Sequence, residues 1–77
     1  MNYVVETITK DARTKVTIPA VDIIAAEDLV KKVASKNGES VLDVRYGDMN
    51  GSGVSVIETQ LNSLLIERRI YLSKNQN

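Results

Sequence analysis

The residues best equipped for chemistry are Asp48, Asn50 and Ser52, which alternate through Asp48-Met49-Asn50-Gly51-Ser52-Gly53. Oxygen side chains at the first, third and fifth positions, with glycine at the sixth, open a calcium loop. A hard cation needs converging oxygens, and the glycine allows the sharp turn. The twelfth position of such a loop carries a bidentate Glu. Here it is Thr59, with Glu58 one residue short, and no helices flank the segment. A phosphate cradle fails too, because no P-loop lysine follows and no helix begins there. The reading that survives is a hairpin turn in which glycine supplies positive φ.

Nucleophilic and acid–base chemistry has little to work with. The chain has no His and no Cys, so the commonest general base, the commonest metal ligands and any disulfide are missing. Glu27 and Asp28 are adjacent carboxylates, but Lys31 and Lys32 follow each at i,i+4, which reads as a solvated helix face. No catalytic residue, cofactor site or metal site is assigned, and the expectation is a protein that is not an enzyme. Ten basic residues balance ten acidic ones. That balance speaks against non-specific nucleic-acid binding, which needs a basic surplus, and against mimicry of DNA by net charge. No apolar run reaches the ~20 residues of a membrane span. Met1-Asn2-Tyr3-Val4-Val5-Glu6 does not read as a secretory signal. A soluble intracellular protein is expected.

The elements that position these residues follow from patterning. At 77 residues there is room for one domain, spanning 1–77. Its stability should be about 4–8 kcal/mol, at ~0.05–0.1 kcal/mol per residue. Asn2 to Thr9 is rich in β-branched residues and predicts a strand. Lys10 to Thr14 reads as a hairpin loop. Lys15 to Ala20 predicts a second strand, with Val16, Ile18 and Ala20 on one face and Pro19 at an edge or unpaired. Asp22 is a good N-cap, accepting from the N–H of Ile24 or Ala25. The helix runs from Ile23 to Lys36, burying Ile23, Ala26, Leu29, Val30 and Val33. Asn37-Gly38 stops it, with Gly38 free to take positive φ.

Val41 to Tyr46 predicts a third strand, with Leu42, Val44 and Tyr46 on one face and Val41, Asp43 and Arg45 on the other. Residues 47–53 read as a loop, and Val54 to Thr59 as a fourth strand. Residues 60–68 fit helical and strand spacing alike. Asn62-Ser63 signals a turn, and a strand over Leu64 to Leu72 is the reading adopted. The result is an α+β two-layer domain of order ββαβββ: an antiparallel sheet of four to five strands with one helix packed on one face.

On that last strand Arg68 shares the apolar face of Leu64, Ile66, Ile70 and Leu72. Its stem should cover the core edge while its head stays in water. Arg69 shares the other face with Glu67 and Tyr71, the mixture that protein-binding surfaces favour. The partner-binding set expected is Asp43, Arg45, Asp48, Asn50, Glu58, Arg69 and Tyr71: the glycine-rich loop, its flanking strands, and the Arg–Tyr pair.

Ala20-Val21-Asp22-Ile23 with Ala25-Ala26, followed at a fixed spacing by Asn50-Gly51-Ser52-Gly53, resembles a family of small phage-encoded anti-CRISPR proteins, the second class of type I-E inhibitors. The similarity covers residues 14 to 56. Beyond it the chain departs, with Leu64-Leu65-Ile66-Glu67-Arg68-Arg69 where the family is more polar and aromatic. The resemblance implies a stoichiometric inhibitor that binds a Cas effector complex (Cascade) or its nuclease in the host cytoplasm and blocks target-DNA binding or cleavage. The alternative is a small phage or mobile-element accessory protein that self-associates, an edge strand pairing as a homodimer with Val41 or Leu65 packed there. A third reading, a nucleic-acid-binding module, requires steeply salt-dependent binding.

Overall fold

The structure is a computed structural model that describes residues 1–49 and 52–74. β1 (Asn2–Ile8) and β2 (Arg13–Pro19) form a hairpin. α1 (Ile23–Lys36) then crosses over to β3 (Ser40–Met49), β4 (Ser52–Leu61) and β5 (Leu64–Leu72). Every strand pairing is antiparallel, and β5 closes against β1 to give one sheet in the order β2-β1-β5-β4-β3. This is the ββαβββ, α+β arrangement that the patterning implies, with residues 64–72 as strand.

The helix begins and ends through local chemistry. Asp22 Oδ1 accepts from the Ala25 N–H at 2.8 Å, which satisfies one of the unpaired donors of the first turn. At the other end Gly38 takes φ +79°. Its N–H donates to the Ser35 carbonyl at 3.0 Å, and the Glu39 N–H donates to the Ala34 carbonyl at 3.0 Å. These paired bonds make a Schellman turn, which only a residue at ease with positive φ closes cheaply. The turn sends the chain back beneath the helix and places Glu39 under its C-terminal end. Asp22→Ala is expected to cost about 1 kcal/mol, read as a lower urea midpoint, with Asp22→Asn close to wild type.

α1 lies over β4 and β5, and Tyr3, Val5, Ala26, Val30, Ile57 and Ile70 form the buried core. The buried face of the helix differs from the expected stripe. Ala26, Glu27, Val30 and Ala34 are buried, whereas Leu29 and Val33 are 45% and 56% exposed. Apolar spacing identifies a helix face only to within a residue or so of rotation. Here the helix turns its buried side toward β3 and β4, leaving Leu29 and Val33 on the β2 side. The solvated reading of Glu27 is therefore corrected.

Two further expectations change. Residues 47–49 and 52–53 are strand, because β3 continues to Met49 and β4 begins at Ser52; residues 50 and 51 lie outside those described. Alternation in β3 breaks at a register shift between Val41 and Asp43, a β-bulge. Val41 then stands opposite Thr59, and Val44 and Tyr46 stand opposite Ile57 and Ser55. Val41 thus joins the helix-facing side, while Asp43 and Arg45 keep to the other. No helix among the described residues is long and apolar enough to cross a membrane.

Candidate functional site

The face of the sheet turned away from α1 carries two rows of charge set by register. One row, across β1, β5, β4 and β3, reads Ile8, Glu67, Glu58, Asp43. The adjacent row, from β2, reads Lys15, Glu6, Arg69, Val56, Arg45. Three carboxylates side by side repel one another, and the neighbouring arginines offset this. Arg45 Nη1 bonds Asp43 Oδ2 at 3.0 Å, and its Nη2 reaches Glu67 Oε1 at 3.4 Å. Arg69 Nε bonds Glu67 Oε2 at 2.8 Å. The Asp43 carboxylate beside Arg45 raises the guanidinium pKa further above its ordinary value. In the next row Tyr71 lies between Val4 and Val54, and Val54 is buried.

Asp43, Arg45, Glu58, Arg69 and Tyr71 thus lie on one side of the sheet. Ion pairs through Glu67 link Asp43, Arg45 and Arg69 into one network, with Glu58 and Tyr71 beside it by register. Asp48 sits in β3 opposite Gly53, but its side chain, like all of Asn50, lies outside the described residues, as does the centre of the calcium-like loop. Among the described residues no group of three or more acidic side chains is placed to hold a metal ion.

Two polar clusters on the helix side escaped the sequence reading. In the first, the Glu27 carboxylate is 4% exposed and takes a bond from Ser55 Oγ at 3.0 Å and a salt bridge from Lys31 at 2.8 Å. Burial pushes its pKa up, but the hydrogen bonds from Lys31, Tyr46 and Ser55 outweigh that and hold it below the ordinary value. The same carboxylate raises the pKa of the Tyr46 hydroxyl and of Lys31.

In the second cluster Glu39 Oε1 accepts from Arg68 Nη1 and Thr59 Oγ1, both at 2.6 Å, and Oε2 accepts from Arg68 Nη2 at 2.9 Å. The Arg68 side chain is only 13% exposed, so the expectation of a head in water is corrected: it is bound two-pronged to a buried carboxylate. The Arg68 bonds hold the Glu39 pKa below its ordinary value, against the opposing effect of burial. The one signal for these clusters in the sequence was polarity on β4, where Ser55 and Thr59 flank Ile57 on the helix-facing side.

Chemically, both clusters hold carboxylates ionised and fully engaged. A general base works best with a pKa near the working pH, and both groups are moved away from it. These contacts give the stability a pH dependence with a definite sign. A carboxylate whose pKa is lowered by folding contributes stability that is present above the unfolded-state value and is lost as pH falls through the folded one. The urea midpoint is therefore expected to hold from neutrality to about pH 5 and to fall below about pH 4.5. Glu27→Gln should start lower and flatten the decline. A midpoint unchanged down to about pH 3 would contradict this assignment.

No family model matches the chain, and no curated protein and no solved structure matches it.

Proposed function

We propose that the protein acts by binding another protein, without catalysis, and that its target is a type I CRISPR effector complex of the Cascade kind. The observation that carries the binding part is the open sheet face. It places Arg45, Arg69 and Tyr71, residue types that dominate interface energetics, on one face with Asp43, Glu58 and Glu67, and ion pairs join Asp43, Arg45, Glu67 and Arg69. Side chains already fixed by ion pairs lose less freedom on binding. The choice of target rests on the resemblance of Ala20–Ala26 and Asn50–Gly53 to anti-CRISPR proteins, and it sets the site of action in the host cytoplasm. With no net charge, the surface meets a basic channel through its acidic row rather than by imitating DNA as a whole.

Binding of purified protein to a purified type I complex tests this reading, together with interference in cells expressing it. Saturable binding and loss of interference are expected. Absence of both across the type I subtypes rejects the reading. Self-association is a second reading, favoured by the exposed apolar side chains of Val41 and Leu42 on the outer strand β3. A monomer by light scattering at high concentration removes it.

A further inference from the structure

β2 is an edge strand, and register shows which of its main-chain groups are spare. The Ala20 N–H donates to the Met1 carbonyl and the Thr9 N–H to the Ala12 carbonyl, each at 2.9 Å. Both contacts continue the β1–β2 ladder, in which odd residues of β1 face even residues of β2. Hydrogen-bonding direction alternates along an antiparallel strand. Even residues of β2 therefore turn their main-chain groups inward to β1, and Arg13, Lys15, Thr17 and Pro19 turn theirs outward. Three N–H donors and four carbonyls line this edge, and the missing N–H of Pro19 costs the sheet nothing.

The two edges of the sheet differ. β3 carries the bulge at Val41–Asp43, a feature that blunts strand addition. β2 pairs in unbroken register through all seven residues. Beside it lies an open groove of about 280 Å³, lined mainly by the apolar side chains of Val5, Val16, Ile18, Leu29, Val30 and Val33 and also by Thr7 and Arg68, the latter already engaged by Glu39. Because α1 is rotated toward β3, this half of the sheet is left without a roof. On the other side of the same strand stand two cations. Arg13 approaches a carboxylate, that of Glu6, only at 3.7 Å. Lys15 makes no ion pair among the described residues.

We propose that the β2 edge and its groove form a strand-addition site for an extended segment of a partner protein in which apolar and acidic residues alternate. The main chain of that segment pairs with Arg13, Lys15 and Thr17. Its apolar side chains enter the groove against Val16, Leu29 and Val33. Its carboxylates fall beside Arg13 and Lys15, since successive side chains of a strand point to opposite faces. A second copy of this chain fits less well. Pairing β2 with itself about a two-fold axis at Val16 gathers the cations of both strands on one face, where like charges repel. The proposal does not depend on the Cas reading, and its test uses no Cas protein.

The probe is a seven-residue synthetic peptide alternating Val and Glu, titrated into isotope-labelled protein by NMR, with a Val–Lys peptide as control. Saturable shifts are expected at residues 13–19, 29 and 33, with slowed amide exchange at Lys15 and Thr17. The Val–Lys peptide should bind at least about tenfold more weakly, and Lys15→Glu should shift the preference toward it. Thr17→Pro removes one outward donor that no sheet bond uses. It should weaken binding about tenfold or more while leaving the thermal midpoint near wild type. Equal binding of the two peptides, shifts confined to other surfaces, or no saturable shift at millimolar peptide overturns the proposal. Protection of Lys15 and Thr17 in a concentration-dependent dimer without peptide also overturns it, in favour of a second copy.

Discussion

Glu39→Ala is expected to remove roughly half or more of the protein's stability at 25 °C. The substitution leaves the guanidinium of Arg68, whose side chain is 13% exposed, without its counter-ion, and it strips Thr59 of its acceptor. Breaking a buried ion pair by removing one partner costs about 3–5 kcal/mol, against a total of about 4–8 kcal/mol for a chain of this length. Urea denaturation followed by circular dichroism reads the loss directly. Replacing both partners separates the ion pair from the space it fills. Glu39→Leu with Arg68→Met should recover most of the stability, because a buried pair exchanged for apolar groups of similar volume is often neutral or favourable. A loss below about 1 kcal/mol for Glu39→Ala would place the pair in solvent, where such pairs contribute little.

Arg69→Ala is expected to produce a large loss of partner binding for a small loss of fold. Its side chain is 44% exposed and its Nε bonds Glu67 at 2.8 Å, so the ion pair contributes no more than about 1 kcal/mol to stability. At the centre of an interface, truncation of an arginine commonly costs 2 kcal/mol or more, roughly thirtyfold in affinity. Affinity for the effector complex and the urea midpoint, measured on the same preparation, distinguish the two effects. Unchanged affinity would move the interface off the open face.

What the sequence disclosed and what it hid follow a physical line. The ends of α1 were legible because local chemistry makes them: Asp22 caps within three residues, and Asn37-Gly38 closes a turn that needs positive φ. The Asn62-Ser63 turn was legible for the same reason, with Asn62 at φ +56°. That Asp43, Arg45, Glu58, Arg69 and Tyr71 share the open face rests on strand alternation, which also separates Arg68 from Arg69.

The misreadings concern contacts between residues far apart in the chain. Glu27 reaches Ser55 across 28 positions, and Glu39 reaches Arg68 across 29. Neither pairing leaves a periodic trace. Glu27 has the same i,i+4 lysine whether buried or solvated, and only its partner on β4 decides between them. Leu29 and Val33 are apolar at helical spacing, but whether they meet a sheet depends on how α1 is rotated over it. That rotation is fixed by the Glu27–Ser55 contact together with the small Ala26 and Ala34, both fully buried. The consequence is the unroofed groove along β2.

The proposed function is that the protein acts by occupying a partner, not by turning over a substrate. The most direct measurement is a titration of target-DNA binding and cleavage by a purified type I effector complex, at complex concentrations well above the dissociation constant. A linear fall to complete inhibition at a fixed molar ratio, reversed when the inhibitor dissociates, is the expected result. Full inhibition at a small fraction of that ratio, persisting after the protein is removed, would contradict it.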